Sequence, residues 1–223
     1  DVTMRGQKTS AEKVQAFAGM VDAYVASGGG VLLMPTETNM LKQAVADLTS
    51  RWGARLPVER IEEGDKDKLG HLTHSSQATP LALTDQISPS PVSEGVKQIW
   101  YPYAPAYNAQ MTGPIVVDEN WQIVVRASAT SLTKPVDLAK STMPVLENPF
   151  LRPDGERQPA IAAVREYRGG RVALVNQWRQ FSIGSGTRYI FDRQVLSKGF
   201  GDRPSDFGRL LENTYRWLAE PSR

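Results

Sequence analysis

The sequence predicts an α/β chain built on a mostly parallel sheet flanked by helices, with added β-hairpins and long loops. Three observations predict it. "TSAEKVQAFAGMVDAYVASGGG" carries apolar residues at helical spacing and ends in glycines. "GVLLMP" follows at once, continuously apolar, as in a strand covered on both faces. "NMLKQAVADLTSRWG" then reads as a second helix before "ARLPVERI", so strand, helix and strand follow one another as in a parallel βαβ unit.

Each element has local reasons. In the first helix, Thr9 and Glu12 fit a capping box, and Val14, Phe17, Ala18, Val21 and Val25 make the apolar stripe. Gly28 suits the position after the helix, because glycine takes the left-handed conformation without a Cβ clash. Asn39 is the expected cap of the second helix and Gly53 its end. Residues 62–112 read as an irregular surface excursion, closing on the aromatic, extended "VKQIWYPYAPAYNAQ". "GPIVVDENWQIVVRAS" predicts a hairpin turning at Asp118-Glu119-Asn120. Residues 134–158 are again irregular. "PAIAAVREYRGGRVALVNQW" predicts a second hairpin around Arg168-Gly169-Gly170. "SDFGRLLENTYRWLAEP" closes the chain as a helix, with Ser205 as cap and Phe207, Leu210, Leu211, Tyr215 and Leu218 as the buried stripe.

The length of 223 residues suits a single domain over 1–223. A net charge of +2 with no basic block argues against a nucleic-acid partner. The absence of cysteine excludes disulfides, a thiolate nucleophile and zinc–cysteine sites. No apolar run approaches the roughly 18 residues of a membrane span. No cofactor or metal is expected, and no compartment is assigned beyond a lean to an extracytoplasmic one.

The glycines of "VASGGGVLLMPTETN" raise the question of a phosphate loop. Phosphate loops run from a strand into a helix, so that loop amides and the positive helix end face the anion. Here the order is helix, glycines, strand, and no Lys-Ser/Thr follows, so a structural turn is the favoured reading. Ligands of open α/β sheets lie beyond the carboxyl ends of the strands. That moves attention to Thr36, Glu37, Thr38 and Asn39, which also read simply as a helix cap. His71 and His74 could share a helical face as metal ligands, or be solvated loop residues, the favoured reading. "SIGSGTR", from Ser182 to Arg188, reads as an anion loop or a hairpin tip. Trp100, Tyr101, Tyr103, Tyr107, Trp121 and Trp178 could stack on sugars, or cover the core. Glu37 with Asp118 or Glu119 would make a carboxylate pair for glycoside cleavage, if they met.

"VQAFAGMVDAYVASGGGVLLMP" resembles the helix-to-strand passage of the class I glutamine amidotransferase-like superfamily, in its divergent branch of trehalose-utilisation-like and uncharacterised bacterial modules. "SPVSEGVKQIWYP", "WQIVVRASATSLTKPV", "GGRVALVN" and "LLENTYRWLAEP" resemble later segments of that branch in the same order. The resemblance implies a flavodoxin-like sheet. It also implies a strand, helix and strand before the first helix, which this chain is expected to lack or to receive from another chain. The family's chemistry needs a cysteine where Thr36-Glu37 stand, and a histidine and glutamate where Asn176-Gln177-Trp178-Arg179-Gln180 stand. Glutamine amidotransfer is therefore not expected.

The expected function is that of a non-catalytic, amidotransferase-like binding or assembly module of a larger bacterial protein, with a possible link to carbohydrate. Its ligand, a glycan or small anion, would meet Thr36, Glu37, Asn39, Trp178, Arg179, Arg188 and Tyr189. Two alternatives stand beside it. One is a carbohydrate-active hydrolase or lyase using Glu37. The other is an interface domain whose sheet is completed by another domain or chain.

Overall fold

The computed structural model describes residues 11–35, 42–74, 77–103, 112–136, 150–152, 155–176 and 198–220. Helix α1 spans Ala11–Ala26 and α2 spans Lys42–Arg51. The closing helix, α3, spans Phe207–Ala219. Strand β1 is Gly30–Leu33, β2 Ala54–Arg55, β3 Glu59–Glu63 and β4 Leu69–His74. Then come β5 (Gln77–Thr84), β6 (Ile99–Pro102), β7 (Val116–Val117), β8 (Gln122–Arg126) and β9 (Ser131–Pro135). The last strands are β10, Ala160–Tyr167, and β11, Gly170–Val175.

The expected mostly parallel, flavodoxin-like sheet is not what forms. The central sheet has the order β1-β11-β10-β8 and is mixed. Among the described residues only β1 and β11 run parallel, Gly30 opposite Arg171 and Leu33 opposite Leu174. Strands β10 and β8 are antiparallel to their neighbours. The pairs β2–β7 and β3–β9, and the sheet β4-β5-β6, are antiparallel throughout. The βαβ reading fails at its last step: the strand after α2 pairs antiparallel with β7, outside the central sheet. The excursion predicted over 62–112 holds the whole β4-β5-β6 sheet. The hairpin predicted at Asp118 is a crossing instead. Trp121 N–H closes the turn on Asp118 O (3.2 Å), but β7 goes to β2 and β8 to β10.

The local predictions fare better. Gly28 has φ 97°, and Gly29 N–H reaches back to Tyr24 O (3.1 Å), closing α1 as a glycine cap does. Tyr167 pairs with Gly170 across Arg168 and Gly169, both at positive φ, a two-residue hairpin turn. In α3 the buried stripe is Phe207, Leu210, Leu211, Thr214 and Trp217, whereas Tyr215 faces solvent and Leu218 is half-buried. The residue before α3 is Asp206, not Ser205. Ser205 Oγ instead accepts from Trp100 N–H (3.2 Å), tying α3 to β6.

The central sheet is covered on both faces. Val31, Leu33, Val172 and Leu174 meet Ala18 and Val25 of α1, with Leu48 and Trp52. Leu32, Met34, Ala173 and Val175 meet Leu210, Leu211 and Trp217 of α3, with Leu81, Trp100 and Tyr101 of the second sheet. Alternation along each strand sends successive side chains to opposite layers. Arg171, buried at the start of β11, donates to Trp217 O (2.5 Å) and Glu220 O (3.3 Å). It so satisfies carbonyls that the end of α3 leaves open. Beside it, a Cβ on Gly30 would lie 2.2 Å from Leu218 O. Gly30→Ala therefore pushes α3 off the sheet, with an expected loss of about 1–3 kcal/mol in urea unfolding. An unchanged midpoint would show that α3 is not seated on β1.

Candidate functional site

The crest at the carboxyl ends of β1 and β11 is built by Met34, Pro35 and Asn176. Asn176 is tied down on three sides. Its N–H donates to Ile161 O (3.0 Å), its Nδ2 donates to Pro114 O (2.9 Å), and its carbonyl accepts from Gly113 N–H (2.9 Å). Thr112 Oγ1, on the same segment, is buried without a hydrogen-bond partner. The predicted ligand residues Thr36, Glu37, Asn39, Trp178, Arg179, Arg188 and Tyr189 all lie outside the described residues, as do Thr38, Tyr107 and the Ser182–Arg188 loop.

Other candidates are placed. Asp118 serves its own turn: its Oδ1 accepts from Asn120 N–H (3.0 Å), and its Oδ2 lies 3.5 Å from the Arg165 guanidinium. Glu119 beside it is exposed. His71 and His74 sit in β4, opposite Pro80 and Gln77, so the shared helical face of a metal pair does not exist. Among the described residues no group of three or more His, Cys, Asp or Glu could hold a metal ion. Trp100, Tyr101, Tyr103 and Trp121 are all buried, so the covering reading holds for them and they offer no stacking face. Trp100 packs edge-on against Phe200 (5.6 Å), and Trp121 Nε1 donates to Trp52 O (2.5 Å).

The best-formed polar cluster is one that the sequence reading missed. Glu63, buried at the end of β3, accepts from Ser128 Oγ, Thr130 Oγ1 (2.5 Å), Ser131 Oγ (2.9 Å) and Asp65 N–H (2.8 Å). Burial pushes its carboxyl pKa up. The hydrogen bonds from Ser128, Thr130, Asp65 and Ser131 together outweigh burial and hold it below the ordinary value. Tyr101, 3.5 Å from Ser131 Oγ, is driven well above the phenol range by burial. Both Glu63 oxygens are occupied and the proton is disfavoured. The cluster fastens the 128–131 turn to β3; it is not a poised acid or base. "RASATS" with its three hydroxyls was the available signal. Nearby, Arg152 joins Glu59 and Glu156 in ion pairs across β3.

A different kind of site lies along β1. Arg171 N–H donates to Gly29 O (3.1 Å). Alternation in a parallel ladder then directs the polar groups of Val31 and Leu33 to β11, and those of Gly30 and Leu32 outward. Among the described residues no strand pairs with that outer side. The strand GVLL carries no charge and no proline, the usual protections of an edge. The ring of Tyr24 lies over Gly29, where a Cβ would come within 2.4 Å of it.

Neither a protein-family model nor a curated protein matches the chain. Solved structures do resemble it. The mmIFT52 N-terminal domain superposes with a TM-score of 0.52 at 12% identity, over 96% of this chain and 74% of that one. Cytoplasmic Protein STM3548 from Salmonella typhimurium gives 0.43 at 12% identity, over 96% and 63%. The first likeness is one of fold alone.

Proposed function

We propose that the chain is a non-catalytic assembly module whose central sheet is completed along β1 by another domain or chain. The uncharged outer side of β1, which pairs with no strand among the described residues, carries the reading. Both faces of β1 are already covered, by α1 and α3. Only an extended strand can therefore reach its polar groups, as in β-strand addition, where main-chain bonds supply affinity. The sugar-binding version draws no support from the four aromatic residues inside the core.

Hydrogen exchange tests this. In the protein isolated with its assembly intact, the Leu32 amide is expected to exchange at least ~100-fold more slowly than a free-chain amide. Exchange at the free-chain rate there overturns the reading.

A further inference from the structure

We draw no further inference here: the strongest candidate, the exposed apolar patch of Met20 and Tyr24 on the outer face of α1, is an unpartnered face and nothing in the structure shows what covers it.

Discussion

Trp52→Ala is expected to cost about 3–5 kcal/mol, a large part of the stability of a domain of this kind. Trp52 is fully buried and joins three parts of the chain. Its Nε1 donates to Asp22 of α1 (3.0 Å). Its carbonyl accepts from Trp121 Nε1 (2.5 Å) and from Arg165 (2.6 Å). Its ring meets Tyr167 of β10 edge-on at 6.4 Å. The alanine leaves a cavity that these rigid neighbours cannot close, and it leaves Asp22 without the indole donor. The melting temperature should fall by roughly 6–20 °C in calorimetry. Trp52→Phe fills most of the space and separates the two effects: its smaller loss measures the indole hydrogen bond. A loss under about 1 kcal/mol for the alanine would mean that α1 and α2 are not packed on the sheet through this residue.

The second large effect is at Glu63, and it depends on pH. Glu63→Gln replaces one acceptor oxygen by an amide NH2, itself a donor, that faces hydroxyl or backbone donors. The expected loss is about 2 kcal/mol near neutral pH, because donors to a charged acceptor are left poorly paired. The folded-state pKa is lowered, so the carboxylate's contribution is fully present above its ordinary value of 4.5. It is lost as pH falls through the lowered folded value. The gap in stability between wild type and Glu63→Gln should therefore be constant from pH 8 to about 5 and close progressively in acid. Urea midpoints at several pH values measure it. A gap that widens in acid would contradict the direction of the shift.

Sequence and structure agree most where the signal is local. The glycine cap at Gly28, the turn at Arg168-Gly169 and the helices around Ala18, Ala46 and Leu211 all rest on residues within a few positions of one another. The stripe of α1 was legible too: of Val14, Phe17, Ala18, Val21 and Val25, three are buried in the core and Phe17 and Val21 are half-buried. Glu63 was illegible because its three hydroxyl donors lie more than sixty residues away.

By itself, the sequence determined that a helix ends in glycines and runs into an apolar strand, that a tight hairpin follows Tyr167, and that an amphipathic helix closes the chain. These are short-range backbone preferences and periodicities, which need no knowledge of neighbours. Strand direction and partner were decided only in the tertiary structure. β2 and β7, Ala54 opposite Val117, are too short to advertise a pairing, and β5 lies in a stretch that reads as loop. A parallel and an antiparallel neighbour demand the same apolar alternation from a strand. The choice between them is made by how the covering layers close over the sheet, and that depends on every element at once.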